Sequence, residues 1–479
     1  MASGNEASLN GMPMAERGAV ARPTTLGKDG VQAQGRGVGM SDRPNVGALL
    51  DRPLGAYRIA VFLLCALVMA LEGFDMYMIG SIVPAIASGL GIGPAAMGQV
   101  FVAQGIGLAI GYTFVSPIAD RAGRRPVILG CVTGFALVTL LAVLAQSVTA
   151  LAVLRLVAFI FFGGVVPNTI ALVTELSPRL IRQRMVVLLN AVFAVGSSAG
   201  MIIAPVAAAN FGWTGAFWAA GLAPLLLLPL LVWALPESPR FLVLRPEGTE
   251  RLRRVLSRIG AGAQADVATG FTTDEKPETR APLASLFAPE RIRTTLLLIV
   301  MGSMMMIVAN IVPSWLPTYM QMLAGYSTAH AAAVIATSSL GAIVWPLCMI
   351  VLIRRIGIKA TVALSYAFGT VSMALFAVQP LTALPATLMS IGFGAFVIGA
   401  VGGVYAMTST LYPTSMRSTA LGFTAGMARL LSIAGPAIGS FMLTQHFSQQ
   451  GIAMVLSLPL AIALAATLAL RLPRPVRPD

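Results

Sequence analysis

Charged side chains are scarce in this sequence of 479 residues. Only 10% of the residues are Asp, Glu, Lys or Arg, while 57% are hydrophobic and the mean hydropathy is +0.84. Soluble domains carry about 25% charged residues, so a soluble globular protein is excluded. Disordered chains are polar and highly charged, so disorder over most of the sequence is excluded as well. The composition predicts a chain that lies within a lipid bilayer.

Cysteine and histidine are also rare. The three cysteines are widely spaced within apolar runs, which indicates neither a disulfide framework nor a metal site. The sequence has two histidines and contains no H-E-x-x-H, Cys-His or Gly-rich phosphate motif. We therefore expect a protein that is not an enzyme and that holds no metal and no cofactor.

Apolar segments long enough to cross a hydrocarbon core of about 30 Å as helices recur along the chain. We predict twelve such helices, near residues 58–86, 93–117, 126–146, 149–174, 184–209, 213–235, 294–323, 328–353, 359–379, 383–411, 417–444 and 450–472. The predicted fold is an all-α membrane protein with two six-helix bundles, 56–235 and 294–472. A disordered N-terminal tail (1–55), a central loop (236–293) and a C-terminal tail (473–479) complete the predicted organisation.

The distribution of basic residues predicts the orientation of the chain. Of the 32 Lys and Arg residues, 30 fall in the tails and in the loops on one side of the membrane, and the loops on the other side hold none. Because cytoplasmic loops retain Lys and Arg, we expect both termini to be cytoplasmic. The net charge of +14 is not concentrated on a soluble domain, so no nucleic-acid partner is expected. We expect a monomer.

The two halves of the sequence repeat at an offset of about 235 residues. ELSPRLIR at Glu175–Arg182 corresponds to TLYPTSMR at Thr410–Arg417, and Gly200 corresponds to Gly435. A parallel repeat of six helices predicts two bundles related by an axis along the membrane normal, with a substrate site between them near the midplane. This pattern is typical of alternating-access transporters.

Four ionisable residues lie deep within the predicted spans: Glu72, Asp75, Arg155 and Arg429. Each costs about 2.5–3.5 kcal/mol at a helix centre, so they must be paired or hydrated. Two acids and two guanidinium groups can neutralise each other inside a cavity. The alternative is a pair of structural ion pairs that fix helix packing, although buried pairs stabilise proteins poorly.

Glu72 and Asp75 lie on one face of the first predicted helix, because residues three apart are neighbours on a helix. Two carboxyl groups so close in a low dielectric do not both ionise easily, so one is expected to hold a proton near neutral pH. Helical rise places Arg155 at a depth from which its side chain can reach Asp75. Arg429 lands near the midplane, and its counterpart in the repeat is the apolar Ala194. We expect Arg429 to bind the carboxylate of a substrate.

Other polar and aromatic residues in the spans leave two interpretations open. Asn168 and Asn310 are candidates for substrate binding or for hydrogen bonds between helices. Trp315 is a candidate for stacking on a substrate ring or for packing between helices. Because Asn310 corresponds to Asp75 in the repeat, titration is expected to be confined to the N-terminal half.

The loop between the second and third predicted helices reads SPIADRAGRRPV. It places an acid among cations beside a glycine: Asp120, Arg121, Gly123, Arg124 and Arg125. Such a cluster can pair across an interface in one conformation and separate in another. The alternative is simple anchoring at the membrane surface.

Taken together, these motifs resemble a major facilitator superfamily transporter and, more narrowly, the aromatic acid:proton symporter family. The resemblance covers residues 55–472. The segments that carry it are ADRAGRRPV in the second loop, EGFD at Glu72–Asp75, GGVVPN after Arg155, PESPRFLV at Pro236–Val243, WLPT at Trp315–Thr318, and YPTSMRSTALG with Arg429 downstream.

The resemblance implies import of a small aromatic carboxylate, of the hydroxybenzoate or hydroxyphenylpropionate type, together with protons across a cell inner membrane. It implies that Glu72 and Asp75 take part in proton coupling, that Arg155 is essential in the cavity as a substrate-binding residue, and that Asp120 with Arg124 governs conformational switching. Glu72 stands where the family more often has Asp, a variant that resembles the hydroxyphenylpropionate branch.

Three other functions remain as alternatives: a sugar or polyol porter, a drug efflux antiporter, and a polytopic membrane enzyme or sensor. Sugar porters carry a PETKG-like segment after the last helix, whereas this chain ends RLPRPVRPD. The two guanidinium groups suit an anion better than a lipophilic cation. An enzyme or sensor needs a catalytic constellation or a folded soluble domain, and the central loop is too short and too polar for either.

Overall fold

The chain folds into long α-helices. A computed structural model describes residues 45–245, 248–260, 271, 283–378, 380–412 and 414–471. In these ranges, twelve helices are long and apolar enough to cross a membrane. They are α1 (Ala56–Leu90), α2 (Pro94–Ala122), α3 (Arg124–Leu144), α4 (Val148–Leu176), α5 (Arg184–Phe211), α6 (Trp213–Ala234), α7 (Ile292–Ala324), α8 (Thr328–Ile356), α9 (Ile358–Ala377), α10 (Ala383–Leu411), α11 (Thr419–Thr444) and α12 (Gln449–Ala469). The predicted fold class is confirmed.

Local sequence signals set the ends of several helices. Ser147, Ser327 and Ser448 precede α4, α8 and α12, and each side-chain oxygen accepts a hydrogen bond from the backbone N–H three residues later. Gly91 and Gly325 follow α1 and α7 with φ of 64° and 69°, the left-handed conformation that ends a helix without steric cost. These signals explain why the predicted and observed ends differ by only a few residues.

The sequence repeat is present as a repeated helix crossing. A Cβ atom at Gly107 of α2 would lie 2.2 Å from the carbonyl oxygen of Leu156 in α4. A Cβ atom at Gly341 of α8 would lie 2.1 Å from the carbonyl oxygen of Ile391 in α10. Only glycine allows either pair of backbones to approach so closely. The two halves of the protein therefore share one kind of helix crossing, and it occurs at residues that correspond to each other in the sequence repeat.

The N-terminal bundle (α1–α6) and the C-terminal bundle (α7–α12) meet along part of their length. We name the side of the membrane where α1 begins and α12 ends the terminal side, and the opposite side the distal side. Ser440 near the distal end of α11 donates a hydrogen bond of 2.7 Å to the carbonyl oxygen of Ala95 in α2. Near the middle of the membrane, Ser198 of α5 contacts Ser339 of α8 through their hydroxyl groups. These two contacts join the bundles in the middle and on the distal side, and we name the space between the two bundles the gap.

Part of the predicted N-terminal tail is folded. Residues Val46–Leu50 form a short helix whose apolar side chains Val46, Leu49 and Leu50 are buried. Asp51 pairs with Arg179 at the end of α4 at 3.3 Å. The prediction of a disordered tail was therefore wrong for residues 45–55, because three apolar residues pack against the bundle. Residues 1–44 and the predicted C-terminal tail 473–479 lie outside the described residues.

The central segment between the bundles contains further short helices. After α6 the chain forms a helix at Pro239–Val243 and another at Thr249–Arg258, which we name the linker helix. The linker helix buries Leu252, Val255 and Leu256 and exposes the arginines on its other face, Arg251, Arg254 and Arg258. An amphipathic helix of this kind lies along a surface with its apolar face covered.

Candidate functional site

An ion pair joins α1 and α4 in the core of the N-terminal bundle. Arg155 donates from Nη1 to Oδ1 of Asp75 at 2.9 Å, and its Nη2 contacts Oδ2 of the same carboxylate. Both side chains have no solvent exposure. A two-point contact of this kind is the strongest arrangement of a guanidinium and a carboxylate, and removal of either partner leaves an uncompensated buried charge.

Two further N–H groups of Arg155 also have a partner. With the Gln104 amide oriented so that its oxygen faces the guanidinium, that oxygen accepts from Arg155 Nη2 at 2.9 Å and from Nε at 3.1 Å. The guanidinium carbon lies 4.8 Å from the ring centre of Phe159 and 5.8 Å from that of Phe217. Arg155 is thus enclosed by one carboxylate, one amide and two aromatic rings, and four of its five N–H groups donate to Asp75 or Gln104.

Glu72 lies one helical turn from Asp75 and has a different environment. Its side chain is only 2% exposed, and neither carboxyl oxygen has a hydrogen-bond partner among the described residues. Arg155, the cation in this part of the bundle, is bound to Asp75. Burying an unpaired carboxylate is very costly, so Glu72 differs from the compensated Asp75 although both lie on the same helix.

Arg429 lies at the interface between the bundles. Its side chain is exposed, and its guanidinium carbon is 4.6 Å from the ring centre of Tyr112 in α2. Tyr77 of α1 and Tyr405 of α10 are also within electrostatic range of Arg429. Tyr112 belongs to a π-helical turn, Gly111–Val115, which widens α2 at this level. An exposed cation that rests on the opposite bundle faces the gap between the bundles, so Arg429 combines a positive charge with aromatic surface in an accessible place.

The structure places three of the other predicted binding residues in packing contacts. Asn168 donates to the carbonyl oxygens of Gly164 at 2.7 Å and Ser116 at 3.2 Å, which ties α4 to α2. Asn310 is half-buried and donates to the Met306 carbonyl oxygen of its own helix at 3.1 Å.

Trp315 is fully buried, and its indole N–H donates to the Pro436 carbonyl oxygen at 3.0 Å. Its ring packs edge-on against Phe101, with 5.2 Å between the ring centres. A residue with no exposed face cannot stack on a substrate ring in this conformation, so the structure does not fit the predicted substrate contact of Trp315. Its position between α7, α11 and α2 fits the packing interpretation.

The residues of the predicted switch form a network on the terminal side. Arg124 pairs with Asp120 at 3.0 Å and with Glu175 at the end of α4 at 3.4 Å. Asp120 is 71% exposed, whereas the Glu175 side chain is 7% exposed and accepts a hydrogen bond from Ser238. All these residues belong to the N-terminal bundle and the segment that follows it. The network therefore holds one bundle together in this conformation.

Glu237 forms the second half of this network. Its Oε1 accepts the backbone N–H groups of Arg124 at 2.7 Å, Arg125 at 3.3 Å and Ser238 at 2.8 Å. Gly123 has φ of 101°, and a Cβ atom there would lie 2.3 Å from Oε2 of Glu237. Glycine is thus required at this position both by the backbone conformation and by the close approach of the carboxylate.

The last two loop residues point outward. The Arg121 carbonyl oxygen accepts a hydrogen bond from Arg245, and its side chain is exposed. Arg125 is half-buried and its Nη2 donates to the Val232 carbonyl oxygen near the end of α6. Arg121 thus contacts the segment after α6, and the Arg125 side chain contacts α6 itself.

Sequence reasoning did not assign a role to several residues that complete these sites: Gln104, Tyr112, Glu175, Glu237 and Tyr405. Glu175 and Glu237 belong to quoted motifs, and they are conspicuous in a chain with only 18 acidic residues. Gln104 is a polar amide within an apolar span, and the same feature made Asn168 a candidate site residue. Tyr112 and Tyr405 belong to no quoted motif, and nothing in the sequence distinguishes them from the other tyrosines among the eight in the chain.

Comparison with known proteins identifies the family. The model of the Major Facilitator Superfamily matches residues 65–403. The chain belongs to this superfamily. It is 32% identical to the gallate transporter of Pseudomonas putida over 88% of this chain and 93% of that protein. It is 31% identical to the 4-hydroxybenzoate transporter of Pseudomonas aeruginosa over 89% of this chain and 96% of that protein.

More distant similarities agree with this assignment. The 3-(3-hydroxy-phenyl)propionate transporter of Escherichia coli is 28% identical over 79% of this chain and 86% of that protein. Among solved structures, the inward-open xylose transporter XylE from E. coli superposes with a TM-score of 0.67 at 17% identity, covering 88% of this chain and 98% of that one. That structure shows the fold alone. The resemblance to the aromatic acid transporters of the superfamily is confirmed, and the chain is a membrane transporter rather than an enzyme.

Proposed function

We propose that this chain imports a small aromatic carboxylate, of the hydroxybenzoate or hydroxyphenylpropionate type, together with protons across a cell inner membrane. The observation that carries the proposal is the exposed Arg429 beside Tyr112 in the gap between the bundles. A guanidinium group binds a carboxylate through two parallel hydrogen bonds, and tyrosine rings offer a face to an aromatic ring. The relatives named for gallate, 4-hydroxybenzoate and hydroxyphenylpropionate support this substrate class.

The two acids of α1 have different roles in this proposal. Asp75 is compensated by Arg155 and keeps that cation away from the substrate. Glu72 carries the transported proton, because its carboxyl group is buried without any partner. When the bundles move and water reaches Glu72, its O–H bond breaks, the proton passes to water, and the carboxylate remains. A proton from the opposite side restores the neutral acid before it is buried again.

The conformation fits a transporter open toward one side. The bundles are joined by hydrogen bonds from the middle to the distal side, at Ser198, Ser339 and Ser440. We take the terminal side to be the cytoplasm, because the tails and loops on that side hold the basic residues. This state then releases substrate to the cytoplasm, and the reverse tilt of the bundles accepts substrate from outside.

Uptake of radiolabelled substrates tests the proposal. Hydroxybenzoates and hydroxyphenylpropionates are offered to vesicles with and without an inward proton gradient, for the wild type, Glu72→Gln and Asp75→Asn. We expect gradient-dependent uptake by the wild type. Glu72→Gln should retain downhill exchange of substrate but lose accumulation, because the amide is neutral and cannot carry a proton.

Asp75→Asn should lose both accumulation and exchange, because it leaves Arg155 as an uncompensated buried charge that costs about 3–5 kcal/mol. Uptake that does not depend on the gradient in the wild type would refute proton coupling. Full accumulation by Glu72→Gln would refute the role assigned to Glu72, while leaving the substrate class in place.

A further inference from the structure

A second cavity lies on the terminal side, outside the gap between the bundles. It has a volume of about 560 Å³ and is bounded by the ends of α3 and α6 and by the linker helix. Volumes of this size are typical of sites for small ligands. We name it the interfacial cavity, because α6 ends beside it at Ala234, where the apolar span meets the polar central segment.

The interfacial cavity is strongly basic. Arg125 lines it from α3, and Arg251, Arg254 and Arg258 line it from the linker helix. The three linker arginines follow each other at spacings of three and four residues, so they share one face of the helix. All three are exposed, and Arg254 makes only a weak pair with the exposed Glu250 at 3.4 Å.

These four positive charges outnumber the acidic groups of the cavity. Glu237 is its one acidic lining residue among those described, and it is occupied by three backbone N–H groups. The guanidinium of Arg125 has a buried Nε atom without a hydrogen-bond partner. The arrangement is complementary to an anion that accepts several hydrogen bonds, as a phosphate group does.

One wall of the cavity continues into the lipid-facing surface. Trp233 lines the cavity near the end of α6 and is 81% exposed. Leu230 and Leu226 lie one and two turns below it on the same face and are also exposed. A tryptophan at this level marks the boundary between headgroups and hydrocarbon in membrane proteins. An apolar stripe therefore runs from the basic cavity down the outside of α6.

We propose that the interfacial cavity binds an acidic phospholipid, with its phosphate among Arg125, Arg251, Arg254 and Arg258 and an acyl chain along Trp233, Leu230 and Leu226. A soluble anion would use the charges but not the apolar stripe, which is why the combination favours a lipid. Anionic lipids are attracted to basic segments beside membrane helices. The bound lipid ties the linker helix to α3 and α6, next to the network of Arg124 and Glu237.

Native mass spectrometry of the purified full-length protein tests this proposal. The protein is titrated with phosphatidylglycerol or phosphatidylcholine in mixed micelles. We expect one phosphatidylglycerol to bind at least tenfold more tightly than phosphatidylcholine. In Arg251→Gln/Arg254→Gln we expect about thirtyfold weaker binding of phosphatidylglycerol, since each basic residue near a membrane surface contributes about 1 kcal/mol.

The matched control is Arg354→Gln/Arg355→Gln, which removes two exposed charges on the same side at the end of α8. It should change the affinity by less than twofold. Trp233→Ala should also weaken phosphatidylglycerol binding, without any change of charge. If the control variant and the linker variant lose the same affinity for phosphatidylglycerol, the assignment of the lipid to the interfacial cavity is wrong. Displacement of the lipid by glycerol phosphate would overturn the assignment to a lipid in favour of a soluble phosphate compound.

Discussion

The guanidinium carbon of Arg429 in the C-terminal bundle lies 4.6 Å from the centre of the Tyr112 ring in the N-terminal bundle. This contact places a positive charge against aromatic surface between two bodies that must move apart for transport. A cation over an aromatic face is stabilised by about 0.5–1 kcal/mol at exposed sites, which is small enough for a carboxylate to compete for the cation. In the mechanism that we propose, substrate binding and bundle movement both involve this pair of residues.

Replacement of Arg429 should weaken substrate binding. In Arg429→Gln we expect the KM for a hydroxybenzoate to rise by about tenfold or more, because a hydrogen bond to a charged group contributes about 1.5–3 kcal/mol. Arg429→Lys keeps the charge but loses the two-point geometry, so its KM should lie between that of the wild type and that of Arg429→Gln. Uptake kinetics at saturating proton gradient measure both. An unchanged KM in Arg429→Gln would show that the carboxylate binds elsewhere.

Gln104 should act as a positioning residue for Arg155. In Gln104→Leu the guanidinium loses its contacts at 2.9 and 3.1 Å and is left with buried donors unpaired, at a cost of about 1–3 kcal/mol. We expect a lower melting temperature and a shifted pH profile of uptake, with the KM little changed. Gln104→Asn, which keeps the amide on a shorter side chain, is the control and should recover part of both. A pH profile identical to the wild type would limit Gln104 to a structural role.

The two acids that pair with Arg124 should differ in importance. Asp120 is 71% exposed, and exposed pairs contribute about 0.2–1 kcal/mol, so Asp120→Asn should slow uptake by less than about threefold. Glu175 is nearly buried and also binds Ser238. Glu175→Gln should slow transport by about tenfold without affecting the KM, because loss of a buried charged contact costs more. Equal effects in the two variants would contradict the ranking by burial.

Ser198 and Ser339 offer a test of bundle movement. Their hydroxyl groups are in contact between α5 and α8, so cysteines at these two positions should form a disulfide under mild oxidation. We expect the cross-linked protein to bind substrate from the terminal side but not to transport it, and a reducing agent should restore uptake. The single variants Ser198→Cys and Ser339→Cys provide the control. Normal transport by the cross-linked protein would show that the bundles do not separate here.

Much of the fold could be predicted because the bilayer restricts the possible structures. Runs of about 20 apolar residues must be helices, and serine or glycine at their ends fixes the boundaries, as at Ser147 and Gly91. The sequence predicts Glu72, Asp75, Arg155 and Arg429 as candidate site residues, because a charged side chain within a membrane span is costly unless it is paired or hydrated. The structure brings Asp75 and Arg155 into contact and places Arg429 in the gap between the bundles.

The rest of the site could not be predicted, for a physical reason. Helices surrounded by lipid and by other helices are apolar on nearly every side, so the sequence contains no strong period that indicates which face points inward. Gln104 and Tyr112 on α2 are therefore indistinguishable from packing residues without the structure. For the same reason the sequence does not show whether Trp315 is buried, because its burial depends on how α7 crosses α11 and α2. The folded part of the tail was missed because three apolar residues are too few to predict a helix.

The glycine contacts described above determine how motion spreads through the molecule. At Gly107 and Gly341 the main chains of crossing helices touch, with no compressible side chain between them. We therefore expect α4 to follow a shift of α2, and α10 to follow a shift of α8. A tilt of one helix in such a pair should displace its partner by a similar distance.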